Sequence, residues 1–546
     1  MSSTLIVCVP GLRYGIEKWD PLLKLLRSEP ELKDADVLAW EHHCSYFSTK
    51  YAEDLSRSLA AAINGKWEDA NHRGNSYTNI ILLGHSMGAI LLRQAYLIGL
   101  GSDVRGFKAQ EWASKVHRIV LFAGINRGLF PPEDDSRSHP CKVRRWVGRH
   151  LIELASQLPV VHFLAEDLLA GSAFVTNLRL WWMRKVRSLP APPTVVQLVG
   201  TDDGIVRSSD SWDIEQDPNG NQIAIPDANH ASVIEVEDKK GQILPERCAL
   251  VRKAVLGEFP QTPPPIPPDQ QKDVVIFVLH GIRASNGQWV RQASQHLQAA
   301  LPRAEVVPAT YWYFSALDFL LPVIRRRRVR WFQDTYAYFM ARNPKAEFRF
   351  LGHSNGTYLL GESLKQLSGM RFSKVVLAGS VLPRDFNWRS RVDNQQVVEL
   401  WNHRALLDVP VALLCNALRG LRMKDVGTGG YEGFSAFPAI RECSYHPGGH
   451  GAALEKDHLL ILTSQIIGSD AAPVCHPLTE SSIRWFDRLS RAAHVLPYVV
   501  FLVLALLSYG GGILISSHYR HLTIAGATIL SLSAWLIAIA VFLELL

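Results

Sequence analysis

Gly-His-Ser-x-Gly stands twice in this chain, as Gly84-His85-Ser86-Met87-Gly88 and as Gly352-His353-Ser354-Asn355-Gly356. Each copy follows a short apolar run (residues 79–83 and 348–351) and precedes a stretch of helical character, from Ala89 and from Thr357. The reading is strand, tight turn, helix. A serine lifted out of so sharp a turn projects its hydroxyl, and crowded backbone on either side leaves room only for glycine. With Gly and Ser near 7% each, one G-x-S-x-G arises by chance in roughly one chain in five of this length, so it is the repetition in context that restricts the fold.

The surroundings repeat as well. Residues 5–9 form an apolar run ending in Pro10-Gly11-Leu12, and residues 274–279 one ending in His280-Gly281-Ile282. A tryptophan, Trp19 or Trp289, lies nine positions beyond Pro10 and beyond His280. Ser86 is 76 positions after Pro10 and Ser354 is 74 after His280, and each copy is followed by a strand ending in Ala-Gly, at Gly124 and Gly379. Unbroken apolar strands alternating with helices imply a mostly parallel sheet covered on both faces, here twice. A proline-dense stretch, residues 260–268, cannot extend a helix or sheet and reads as a semi-rigid linker. The expected organisation is an α/β domain over 1–258, a linker over 259–272, and a second α/β domain over 273–490.

At this point the sequence resembles the α/β-hydrolase superfamily, its lipase and esterase branch in particular, over both halves. The resemblance implies a nucleophile, an acid and a histidine in that chain order. In the first half these are Ser86, Asp203 (Asp202 the alternative) in Gly200-Thr201-Asp202-Asp203-Gly204, and His230 in Asn229-His230-Ala231-Ser232. In the second half they are Ser354, Asp408 with Asp425 as alternative, and His450 with His458 and His446 nearby. The same pattern implies oxyanion amides at Met87 and Leu12, and at Asn355 and Ile282. A serine hydroxyl is a poor nucleophile until an imidazole takes its proton, and a carboxylate orients that imidazole and stabilises its charged form.

Other chemistries find little support. The seven cysteines are scattered, without C-x-x-C or zinc-type spacing, and fit a reducing compartment. No cofactor or metal is expected. A net charge of +7 over 546 residues, without a nucleic-acid motif, gives no reason to expect a nucleic-acid partner. Residues 126–190 form an insertion with Trp146, Leu151–Leu158, Phe163–Leu169 and Leu180-Trp181-Trp182-Met183. It reads either as an apolar lid suited to acyl chains or as an added structural helix pair. Tyr311-Trp312-Tyr313-Phe314 and the basic run Arg325–Arg330 suit either a membrane interface or a solvated helix face.

The last fifty residues are nearly free of charge. Two apolar runs, about 495–517 and 522–546, flank the short turn His518-Tyr519-Arg520-His521. About 20 apolar residues cross a hydrocarbon core of roughly 30 Å, so a two-helix membrane hairpin is expected. Arg484, Arg488 and Arg491 before the first run, with no leader at the N-terminus, place the globular part on the cytoplasmic face. The functional expectation is a membrane-tethered serine hydrolase cleaving an ester or thioester of an apolar acyl substrate. The alternatives are a partly inactive tandem protein acting as a scaffold, and an acyltransferase.

Overall fold

The computed structural model describes residues 4–12, 14–45, 47–101, 108–130, 162–206, 220–238, 240–259, 271–282, 288–309, 316–435, 437–468, 484–519 and 523–545. It divides into two compact units: residues 1–271 with 330–344, and residues 272–329 with 345–546. Arg330–Pro344, which the sequence boundaries place in the second domain, thus belongs to the first unit, where Asp334 accepts from Arg127 at 2.9 Å and from the fully buried Arg179 at 2.5 Å. The expected linker falls largely outside the described residues.

The first unit is built on strands β1 (Thr4–Val9), β2 (Asp36–Ala39), β3 (Asn79–His85), β4 (Val116–Phe122), β5 (Thr194–Gly200) and β6 (Gly220–Ile225). Their spatial order is β2-β1-β3-β4-β5-β6, every pairing parallel. All six residues of β1 are buried, as its unbroken apolar sequence requires of a strand covered on both faces. Helix α1 (Asp20–Arg27) shows how the cover is made. Asp20-Pro21 opens it and Lys24 and Arg27 close it, all favoured by the helix dipole and by the spare amide at a first turn. Its inner face buries Leu22, Leu23 and Leu26, each contributing about 1.5–3 kcal/mol.

The second unit repeats the plan with β7 (Val274–Leu279), β8 (Ala304–Ala309), β9 (Glu347–His353), β10 (Phe372–Ala378), β11 (Val397–Ala405) and β12 (Ile440–His446). The order is β8-β7-β9-β10-β11-β12, again wholly parallel. Even the register recurs: Val9 pairs with Gly84 and Leu279 with Gly352. In both sheets the order reverses between the first strand and its serine-bearing neighbour, the place where open parallel sheets leave a crevice at their carboxyl ends.

Of the insertion, residues 131–161 lie outside the described residues, Trp146 and Leu151–Leu158 with them. The rest is packed rather than loose: Trp182 is buried, 6.0 Å from Tyr96 and under the guanidinium of Arg93. Residues 162–190 thus include helix Ala173–Trp181, which buries Phe174, Val175 and Leu178. Cys443 is disulfide-bonded, while Cys8, Cys44, Cys248 and Cys415 are free and buried. Tyr311-Trp312-Tyr313-Phe314 lies outside the described residues.

At the C-terminus the apolar helix Leu496–His518 runs on from Arg484–Ala492 and is long and apolar enough to cross a membrane. A second helix, Ile524–Leu545, lies against it, with Thr528 and Ser531 facing Gly512 and Gly511. Its described apolar stretch, Ile524–Ile539, is shorter, so one span meets the length requirement among the described residues where the sequence implied two. The turn residues Arg520 and His521 lie outside them.

Candidate active site

The two serines sit just past the carboxyl ends of β3 and β9 in a conformation that almost only glycine adopts freely. Ser86 has φ 52°, ψ −116° and Ser354 has φ 53°, ψ −122°. Such backbone costs on the order of 1–3 kcal/mol and persists only where its surroundings hold it. Here they do: the Ser86 amide donates to Phe122 O at 2.9 Å and the Ser354 amide to Ala378 O at 3.1 Å. The glycine two residues on is required by close approach, since a Cβ at Gly88 would stand 2.2 Å from the carbonyl oxygen of Val9.

In the first unit the three candidate side chains form one chain of hydrogen bonds. His230 Nε2 lies 2.8 Å from Ser86 Oγ and His230 Nδ1 lies 3.0 Å from Asp203 Oδ2. Because a carboxylate can only accept, Nδ1 carries the proton and Nε2 is the free base that accepts from the serine hydroxyl. The other carboxylate oxygen accepts from the amides of Ile205 and Val206 at 2.8 and 3.0 Å. Burial alone would raise the Asp203 carboxyl. The His230 hydrogen bond and charge, with those two amides, outweigh it and hold Asp203 below the ordinary carboxylate range. Asp202, the alternative acid, is exposed and does not meet His230.

The two residues expected to supply oxyanion amides lie close to the serine in the chain path. Met87 opens a helix of thirteen residues, Met87–Gly99, whose partial positive end meets Ser86. Leu12 follows Gly11, where a Cβ would stand 2.9 Å from Ser86 Cβ. Among the described residues neither amide donates to a backbone acceptor.

In the second unit, His450 Nδ1 lies 2.9 Å from both carboxylate oxygens of Asp408, whose side chain is fully buried and also accepts from the Val411 amide at 3.0 Å. The rival residues are engaged elsewhere. Asp425 pairs with Arg325 and with the Tyr358 hydroxyl, His458 with Ala452 O, and His446 with His403. His450 makes no hydrogen bond to Ser354 among the described residues, and Ser354 is 5% exposed where Ser86 is half-buried. Asn355 opens the helix after Ser354, and Ile282 follows Gly281, where a Cβ would stand 2.6 Å from Ser354 Cβ.

Two further residues go unnoticed in sequence. His85 Nε2 lies 2.8 Å from the backbone oxygen of His230, and His353 Nε2 lies 3.0 Å from that of His450. Since a carbonyl only accepts, each donates its proton there and so pins the loop that carries the other histidine. Both are neutral: burial first, and then the neighbouring histidine's charge, push His85 down to about 4 and His353 to about 3. The one available signal was the His shared by the two pentapeptides. His85→Leu, which deletes the donor, is expected to lower kcat at the first site about 10- to 100-fold through misplacement of His230. His85→Gln, which can still donate, recovers part of it. Steady-state rates on a chromogenic ester, with KM unchanged in both variants, check this.

Residues 6–239 match the model of the Alpha/beta hydrolase family. No curated protein matches the chain. Among solved structures, a phospholipase from Legionella pneumophila bound to thio-NAD is 14% identical, covering 37% of this chain and 38% of its own, with a TM-score of 0.26. The chain therefore spans well under half the length of that phospholipase. A peroxisomal alpha-beta-hydrolase from Saccharomyces cerevisiae is 12% identical over 49% of this chain and 83% of its own, with a TM-score of 0.31. Esterase 2 of Thermogutta terrifontis is 14% identical over 47% and 86%, also at 0.31. At these identities and TM-scores the likenesses carry no argument about function.

Proposed function

We propose that this chain is a membrane-tethered serine hydrolase that cleaves an ester or thioester of an apolar acyl substrate, acting first of all at Ser86. One observation carries the reading: an unbroken Ser86–His230–Asp203 relay ends on a serine held in a strained turn beside two amides. In this reading Ser86 Oγ attacks the acyl carbonyl carbon while its proton passes to His230 Nε2. The oxyanion meets the Met87 and Leu12 amides. Collapse breaks the bond to the leaving alcohol or thiol, which takes the proton from His230. Water then repeats the sequence on the acyl-serine and releases the acid. Ser354, His450 and Asp408, with the amides of Asn355 and Ile282, are the corresponding set in the second unit. No step calls for a cofactor or a metal.

The tether is the apolar C-terminal pair of helices, with the globular units on the cytoplasmic side of a bilayer. Support comes from the length and apolarity of Arg484–His518 and from the arginines at its start. Extraction with alkaline carbonate tests it: a peripheral protein is released, a spanning one is retained.

A second reading, in which the second unit only binds, is favoured by the lack of a His450–Ser354 hydrogen bond among the described residues and by the burial of that serine. Labelling with a small fluorophosphonate separates the two. Native protein is expected to label at Ser86, and Ser86→Ala to leave slower labelling at Ser354. No label on native protein would remove the hydrolase reading altogether, and label lost entirely with Ser86→Ala assigns the second unit to binding.

A further inference from the structure

The second site and the root of the apolar helix pair share one end of the second sheet. Asp408 and His450 follow the carboxyl ends of β11 and β12. From Asp408 the chain makes an excursion, residues 406–439, which folds back over those strand ends. The Gly427 amide donates to Val381 O at 2.8 Å, and a Cβ at Gly430 would stand 2.0 Å from the amide nitrogen of Ser380, just beyond β10. The C-terminal helices are seated on that same excursion. Asn416 donates to Ser490 O at 2.5 Å, Ser490 donates to Ala412 O at 2.9 Å, and the Tyr498 hydroxyl donates to Gly420 O at 2.7 Å.

Around this root the surface is apolar where a water-facing surface would not be. Val409 is 50% exposed, Leu421 39% and Trp485 63%, with Leu414 and Leu489 also exposed. Exposed cations accompany them: Arg422, Lys424, Arg484, Arg488 and Arg491, none in an ion pair among the described residues. The apolar rim continues directly into the exposed apolar face of Leu496–His518. Apolar side chains and an aromatic interleaved with arginine and lysine, at the foot of a helix able to span, match the boundary layer of a bilayer carrying anionic headgroups.

We propose that this rim lies in the headgroup–acyl boundary of an anionic leaflet, and that the second site opens onto it and receives its acyl ester from the leaflet rather than from water. The occupant of the rim is bilayer lipid. Val409, 50% exposed at the rim, directly follows the buried Asp408, and the excursion that carries the rim also packs on Ser380 and Val381 just beyond β10. The inference rests on the tethered-hydrolase reading above, and its tests separate the two.

Full-length protein is reconstituted in phosphatidylcholine vesicles, with and without phosphatidylserine, whose chains are brominated near the glycerol end. Tryptophan emission of native protein and Trp485→Phe is compared. The expected result is a quenched component present only in the native protein and stronger with phosphatidylserine. No such component, in protein that resists carbonate extraction, overturns the rim proposal while sparing the tether. Release by carbonate overturns both. For the site, Ser86→Ala is treated with a long-chain fluorophosphonate that partitions into the vesicles and with a short soluble one. Ser354 is expected to label about tenfold faster with the long chain, and Leu414→Glu with Leu421→Glu to abolish that preference. Equal rates, a preference untouched by the two glutamates, or no labelling by either probe overturns the substrate route. In the last case, continued ester hydrolysis by the Ser354→Ala protein, which keeps Ser86, leaves the first site standing.

Discussion

Ser86→Ala, made in a Ser354→Ala background, is expected to lower ester turnover on the order of 10⁶-fold, essentially to the uncatalysed rate plus what the two amides and binding retain. The magnitude follows from the relay's acting as a unit. His230 has nothing to deprotonate without the hydroxyl, and the charge that Asp203 stabilises never forms. Asp203→Asn should therefore cost less, about 10⁴-fold, because an amide at that position turns the imidazole to the wrong tautomer while the nucleophile stays. Adding Asp203→Asn to Ser86→Ala should change almost nothing. Pre-steady-state release of nitrophenol from an activated ester measures all three, since the burst reports the acyl-serine directly. Undiminished hydrolysis by the Ser86→Ala, Ser354→Ala protein would place the chemistry elsewhere.

Acid is expected to unfold the second unit before the first. His353 and His446 are pushed down to about 3 and His403 to about 4, in each case by burial first. His403 and His446 also share a 3.0 Å hydrogen bond that only one proton can occupy. The unfolded chain takes up these protons near its ordinary value of 6.5, the folded unit only near 3 to 4. Between those limits the unfolded state holds more protons, so stability complete above pH 6.5 falls as the pH falls. At pH 4.5 each such histidine costs on the order of 2–3 kcal/mol, and three together rival the roughly 5–15 kcal/mol of a whole domain. Glu442, whose carboxyl burial raises, opposes this. The first unit carries His85, pushed to about 4, and two more histidines, His42 and His117, lowered by burial. Hydrogen exchange followed peptide by peptide between pH 7.5 and 4 resolves the units. Loss of protection in β9–β12 should precede loss in β1–β6, and His446→Gln, which cannot take up a proton, should move the second unit's transition to lower pH. Coincident transitions would contradict this account.

Much of this protein could be read before any coordinates. Continuous apolar runs such as Leu5–Val9 read as strands buried on both faces, and the glycines two residues to either side of Ser86 mark a turn too tight for a side chain, Gly84 against Ala89 and Gly88 against the distant Val9 carbonyl. The acid and histidine candidates Asp203 and His230 were legible for the same reason: strand ends and turn residues mark where a parallel sheet presents side chains. Three things needed the tertiary structure. Which of Asp408 or Asp425, and which of His450, His446 or His458, share a site depends on strands far apart in sequence. Asp425, His446 and His458 pair instead with Arg325, His403 and Ala452, which no local pattern announces. The role of His85 and His353 lies in a bond to a backbone atom 145 and 97 residues away, invisible to spacing. That Trp182 of the insertion is buried against Tyr96 and Arg93 is decided by what it packs against, because a buried Trp182 and an exposed one have the same sequence.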